Sequence, residues 1–132
     1  MKYTLLLGRI LFSIIFIMSS FGHFGEPSIS YAASKGVPMA SFLVPLSGII
    51  ELIGGLSILL GYKAKYGAWL IVIFLIPVTF MLHNFWTITD PIAQQMDMAA
   101  FMKNVSMTGA ALMIAYFGTG PLSIDNRKNT TA

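Results

Sequence analysis

Four long apolar runs fill most of the chain, at about Thr4–Phe24, Ala40–Leu60, Tyr66–Trp86 and Met98–Phe117. Each reaches the ~20 residues a helix needs to cross the ~30 Å hydrocarbon layer of a bilayer. In hydrocarbon the backbone must satisfy its own hydrogen bonds, so each run predicts a helix rather than an open strand. The punctuation between runs agrees. Glu26-Pro27-Ser28 closes the first, Gly36-Val37-Pro38 precedes the second, and Gly118-Thr119-Gly120-Pro121 ends the fourth. Gly61-Tyr62-Lys63-Ala64-Lys65 is short enough to make the second and third runs an antiparallel hairpin. Asp90-Pro91 has the form of a helix cap followed by a first helical proline. Residues 28–35 predict a short interfacial helix, and the polar stretch 126–132 a frayed tail. The expected fold is all-α: one transmembrane domain over residues 1–132, built as an integral membrane four-helix bundle.

Composition sharpens this picture. Of the 132 residues 56% are hydrophobic and only 10% are charged, with a mean hydropathy of +0.78. A soluble domain carries about a quarter charged residues, and a disordered chain has more charge and less apolar surface than this. There are no cysteines, which removes disulfides, thiolate metal sites, iron–sulfur clusters and thiol relays. The eight Lys and Arg give a net charge of +3 but form no basic run, so nucleic acid is not the expected partner. They read better as topology. Lys2, Lys63, Lys65, Arg127 and Lys128 fall on one side, and Lys35 and Lys103 on the other, which predicts cytoplasmic termini. Trp86 then marks the outer interface. Arg9 interrupts the first run and no small-residue cleavage site follows, so that run reads as a span rather than a leader.

Candidate chemistry lies in the polar residues within the spans. Ionisable groups there are costly and usually face the bundle interior with a partner. Arg9, Ser13, Phe16, Ser20 and His23 share one stripe of the first helix, and Ser47, Gly48, Glu51, Gly54, Gly55 and Ile58 share one face of the second. Glu51 falls near mid-membrane and Arg9 about 8 Å nearer the cytoplasm, which predicts a buried Arg9–Glu51 pair. His23, His83, Asn84, Lys103 and Asn104 all fall in the outer quarter and predict one polar pocket, with Trp86 beside it. Glu51, His83 and Lys103 would relay protons there. Pro77 should kink the third helix near Ile73 and open space below His83. Each residue also has a plainer reading: a buried ion pair fixes register, and Lys103 snorkels.

Such a pocket suits a quinone, which needs an apolar slot, donors at two carbonyls and groups that pass protons. A haem b would need His23 and His83 as axial ligands, and their closeness to the outer surface counts against it. Glu51 lies too deep to be a third ligand, so no metal site is expected. Nucleophilic catalysis finds no Cys and no Ser-His-acid arrangement.

The chain resembles the DoxX family of small bacterial membrane proteins. The resemblance rests on Gly8-Arg9-Ile10-Leu11, Glu51-Leu52-Ile53-Gly54-Gly55, His83-Asn84-Phe85-Trp86, Phe101-Met102-Lys103-Asn104 and the closing Gly118–Asp125 segment, in that order. It implies a multi-pass protein of the bacterial plasma membrane, in the lipid bilayer with protein partners or as a homo-oligomer. It also implies an accessory subunit of a quinone-linked oxidoreductase. The alternatives are a non-enzymatic scaffold that anchors soluble enzymes and a small-solute or proton pathway.

Overall fold

The computed structural model describes residues 1–130, with side chains as far as Arg127. Helix α1 covers Lys2–Ser20 and tightens into a 3-10 turn at Phe21–Phe24. Helix α2, Glu26–Ser34, is the short helix expected after the first span. Helix α3 covers Ala40–Leu60, α4 Ala64–Leu82, α5 Pro91–Phe117 and α6 Ile124–Thr130. Four segments are long and apolar enough to cross a membrane: Lys2–Phe24, Ala40–Leu60, Ala64–Thr87 and Pro91–Phe117. The chain is an integral membrane four-helix bundle. Its long exposed side chains, such as Leu11, Ile14 and Met18 on α1, present an apolar surface to lipid.

Three boundaries differ from expectation. Helix α4 stops at Leu82, before His83. Beyond it Phe85 and Trp86 turn onto α5, where both rings stack edge-on against Phe101, 5.4 and 6.0 Å between centroids. Packing of that aromatic group wins over continuing the helix. Helix α5 runs back from the apolar stretch expected at Met98 to Pro91, the cap-and-proline start that Asp90-Pro91 predicts, with Asp90 accepting from Ala93 N–H at 2.8 Å. Hydropathy marks only the part of a helix that lies in apolar surroundings, whereas the cap sets where it begins. The stretch expected to fray forms α6, and residues 131–132 lie outside the described residues.

Helix α3 is the central element. It packs on α1 on one side and α4 on the other, with α5 against α4 and α2 across its first turns. The bundle core joins Phe16 of α1, Ile58 of α3, Ile71, Val72 and Leu75 of α4 and Ala111 of α5. A smaller cluster of Ala32, Ala40 and Val44, with Leu82 against it, fastens α2 to the end of α3.

Small residues set the helix spacing. A Cβ on Gly48 would lie 2.7 Å from His23 Cβ and 3.0 Å from Ser20 O, so α3 meets the end of α1 almost backbone to backbone. On its other side Gly54 faces Gly67 of α4, where an added Cβ would lie 3.0 Å from Gly67 O. Gly109 on α5 faces open space instead. Gly48→Ala is therefore expected to cost about 1–3 kcal/mol through overpacking. Gly109→Ala should leave stability unchanged or slightly raised. Thermal melts of the two variants in one detergent test the contrast, and equal melting temperatures would contradict the close approach.

Candidate functional site

Glu51 is 2% exposed on the α1-facing side of α3, and its environment is built for a carboxylate. Ser19 Oγ donates to Oε1. His23 Nε2 stands 3.3 Å from Oε2. Ser19 and His23 reach Glu51 together because they are one helical turn apart, at the end of α1 and in the turn that follows. Gly48, three residues before Glu51, leaves room for the His23 side chain to lie flat against α3.

The proton inventory of this group is constrained. Ser47 Oγ donates its one proton to Val44 O at 2.7 Å. His23 Nδ1 lies 2.8 Å from Ser47 Oγ, and with the Ser47 proton directed at Val44 O the matching assignment puts the imidazole proton on Nδ1. That leaves Nε2 facing Glu51. His23 Nε2 and Glu51 Oε2 approach within ion-pair distance without forming a hydrogen bond, so Oε2 has no hydrogen-bond partner among the described residues. The pair places a titratable imidazole against a buried carboxyl group inside the membrane.

Beside it lies a cavity of about 600 Å³, within the range of small-molecule sites. Its walls are mostly apolar, with Val44, Ile50, Phe74, Val78 and Met81 among them. His23 and Ser47 line one part and His83 another. Pro77 and Ile73 both line it, so the proline and the carbonyl it leaves unpaired fall where open space was expected. Pro27, Ser28 and Tyr31 of α2 also border it. Leu46 and Ile73 line the cavity and are also exposed, 37% and 58%, so it opens sideways between α3 and α4 at hydrocarbon depth.

His83 has its own carboxylate. Its Nδ1 is 2.9 Å from Asp97 Oδ1 on α5, and the side chains are 23% and 13% exposed. With Nδ1 committed to Asp97, Nε2 is left for a ligand. Two imidazoles, each oriented by a carboxylate, thus border one apolar cavity.

The remaining expected residues divide. Arg9 does not pair with Glu51. It reaches the other way, donating to Leu122 O at 2.7 Å and Thr119 O at 3.4 Å in the closing segment. The reason is proximity. Glu51 is already engaged by Ser19 and His23, while the closing segment offers carbonyls beside Arg9 that no helix satisfies. Asn84 accepts from Lys35 Nζ at 3.4 Å, tying α2 to the turn after α4, and does not line the cavity. Asn104 is buried on α5 but is likewise not a lining residue. Lys103 is exposed and Trp86 is 54% exposed against Phe85 and Phe101, so neither joins the pocket.

Sequence reasoning missed Ser19 and Asp97. Ser19 sits beside Ser20, which holds the same stripe, and nothing in the pattern separates the two. Asp97 was legible: it lies seven residues before Asn104, on the same helical face. Starting the helix at Met98 hid it.

Around Arg9 the chain is locked at the end that carries both termini. Leu122 adopts a left-handed conformation, φ 58°, which costs about 1–2 kcal/mol for a residue with a Cβ. The charge-assisted bond from Arg9 to its carbonyl offsets that cost. Gly61, φ 63°, must be glycine, because a Cβ there would lie 2.3 Å from Ser123 Cβ and 2.9 Å from Arg9 Nη1. Asp125 then caps α4, accepting from Lys63 N–H at 3.0 Å and Ala64 N–H at 3.3 Å. Ser123 Oγ accepts from Asn126 N–H at 3.3 Å and starts α6.

These features define a small multi-pass membrane protein with an internal cavity at membrane depth. The chain belongs to the DoxX family, whose model matches residues 4–84. That stretch includes Arg9, Ser19, His23, Ser47, Glu51 and His83, while Asp97 and the closing segment lie beyond it. The chain is 31% identical over 125 residues to Inner membrane protein YphA of Escherichia coli (strain K12), covering 93% of this chain and 89% of that protein. It is 32% identical over 126 residues to Inner membrane protein YqjF of the same organism, covering 94% and 91%. No solved structure matches.

Arg9→Gln should loosen the closing segment, because a buried carbonyl that loses a charged donor costs about 1.5–3 kcal/mol. Hydrogen exchange across residues 118–126 should rise, and exchange around Ser19 and Glu51 should stay as in wild type. Equal acceleration at both ends would contradict the separation of the two polar groups.

Proposed function

We propose that this chain is a redox accessory subunit of the bacterial inner membrane and that its cavity holds a quinone-class molecule. The observation that carries the reading is the cavity of about 600 Å³ bordered by His23 and His83, each held by its own carboxylate. The lateral opening suits a molecule dissolved in the bilayer. The apolar walls suit a ring and its tail, and the imidazoles suit carbonyl oxygens. Quinone reduction needs two electrons, which a partner redox subunit would supply, and two protons, which this chain can deliver.

In this reading His83 Nε2 bonds one carbonyl and Asp97 stabilises the charge His83 gains. His23 takes a proton at Nε2 from Glu51 as it gives its Nδ1 proton to the Ser47 hydroxyl. That hydroxyl lines the cavity and passes its own proton to the second carbonyl, and Ser19 keeps Glu51 aligned. Glu51 and His83 keep the roles expected of them, and His23 and Asp97 replace Lys103 in the relay. The inner membrane placement follows the two relatives, whose names carry that location. The cationic end, with Lys2, Lys63 and Lys65, is placed in the cytoplasm.

A separate observation favours a protein partner or a second copy. Helix α5 buries only Asn104 and Ala111 within the chain, and Lys103, Ser106 and Gly109 remain exposed on it. A lysine at that depth is stabilised by a counter-charge from another chain. The sequence lacks cysteine, so Gly109→Cys gives a clean cross-linking probe. Disulfide dimers or partner adducts formed in membranes are expected; cross-linking no better than from an exposed position on α1 would count against this face.

The test of the main reading is solvent extraction of protein purified gently in detergent, followed by mass spectrometry. Near-stoichiometric quinone is expected in wild type, falling at least tenfold in His23→Ala and His83→Ala. Glu51→Gln should keep the quinone but slow quinone-linked electron transfer. Wild-type quinone no higher than in the surrounding lipid would overturn the assignment. A large side chain at the mouth, Ile73→Trp, should lower occupancy without lowering the melting temperature.

A further inference from the structure

We propose that the end carrying both termini holds a site for the phosphate headgroup of an anionic phospholipid, separate from the central cavity. The site is a depression of about 430 Å³ between the α3–α4 turn and the closing segment. Lys63 and Lys65 line it together with Gly118, Thr119 and Gly120, and the Lys63 ammonium stands over the neighbouring Tyr62 ring, 5.8 Å from its centroid. Lys65 lies beside Gly118, since a Cβ there would be 3.7 Å from Lys65 Cε.

The charge balance favours an anion. Among the described lining residues Asp125 is the one carboxylate, and both its oxygens are committed to the N–H groups of Lys63 and Ala64. Neither lysine has a salt-bridge partner among the described residues. Two lysines against one carboxylate leave the lining with a net positive charge for whatever occupies the depression.

The flanking groups favour a lipid over a free anion. Tyr66 and Phe117 line the depression, 73% and 74% exposed, on the helix ends where bilayer headgroups and acyl chains meet. Aromatic rings at that level suit the glycerol and upper acyl region, and lysines suit the phosphate. A basic pocket between spanning helices at a membrane surface is a recognised form of headgroup site. The depression is also preformed. Arg9 holds Thr119 and Leu122, and Gly61 admits Ser123, so that part of its lining is fixed before any lipid arrives.

The test uses the full chain in nanodiscs of equal phosphatidylglycerol and phosphatidylcholine, released into native mass spectrometry. Retained phosphatidylglycerol should exceed phosphatidylcholine about tenfold in wild type, as two lysines at a membrane surface allow. The preference should vanish in the double variant Lys63→Gln, Lys65→Gln. It should survive in Lys63→Arg, Lys65→Arg and in Lys35→Gln, Lys103→Gln at the opposite end. Both mutated lysines are exposed, so an unchanged melting temperature is expected and shows that folding is intact. Equal retention of the two lipids in wild type would overturn the proposal, as would a preference insensitive to Lys63 and Lys65. Loss of the preference in millimolar inorganic phosphate, with phosphate adducts taking its place, would assign the site to a free anion and overturn the lipid as occupant.

Discussion

A carboxylate in the middle of a bilayer constrains everything around it. Glu51 lies where water does not reach, and an uncompensated charge there costs several kcal/mol. The chain answers by bringing the end of α1 against α3, closely enough for Ser19 and His23 to reach both oxygens. That approach is possible only because Gly48 has no side chain, with Gly55 clearing the path about two turns further along. The tight α1–α3 contact, the 3-10 turn that carries His23 and the placement of Ser47 are all consequences of housing one acid.

The polar residues form two systems at different depths. At the terminal end Arg9, Gly61, Ser123 and Asp125 close the bundle. Their partners are backbone groups, and each satisfies a carbonyl or N–H that the helices leave open. Toward the other end His23 pairs with Glu51 and His83 with Asp97, and the two imidazoles border the cavity. Backbone-directed polar groups build the architecture, whereas groups directed at each other and at a cavity retain capacity for chemistry. Arg9 and Glu51 therefore belong to different systems, although each is a charge buried in a span.

Much of the fold was legible because a bilayer leaves a chain few options. The four spans, the α3–α4 hairpin, the helix after the first span and the Asp90 cap all follow from run length and punctuation. Helix ends were less legible where tertiary packing decided them, as where Phe85 and Trp86 fold onto Phe101. For the site, periodicity identified the inward faces of α1 and α3, but counting residues put Glu51 well below His23, whereas the structure brings the two side chains to 3.3 Å. Periodicity could not say which neighbour each would take. Arg9 had two candidate partners, Glu51 in one direction and the closing carbonyls in the other. Only the path of residues 118–123, bent by positive-φ positions, decides between them. Lys103 and Asn104 show the same limit: adjacent residues point about 100° apart, so one is buried and the other faces outward.

The two imidazole–carboxylate pairs are not equivalent, and the difference lies in their carboxylates. Glu51 and His23 are enclosed by α1 and α3, with Ser19 on one carboxylate oxygen and Ser47 on His23 Nδ1. Asp97 and His83 stand where α4 ends and α5 begins. The two imidazoles are alike at 21% and 23% exposed, whereas the carboxylate side chains differ, at 3% for Glu51 and 13% for Asp97. Glu51 Oε2 and Asp97 Oδ2 both lack a hydrogen-bond partner among the described residues. A molecule in the cavity would meet two imidazoles of similar exposure, one backed by the enclosed Glu51 and the other by the more exposed Asp97. A pair that served only as glue between helices would need neither the open cavity beside it nor the second carboxylate across from it.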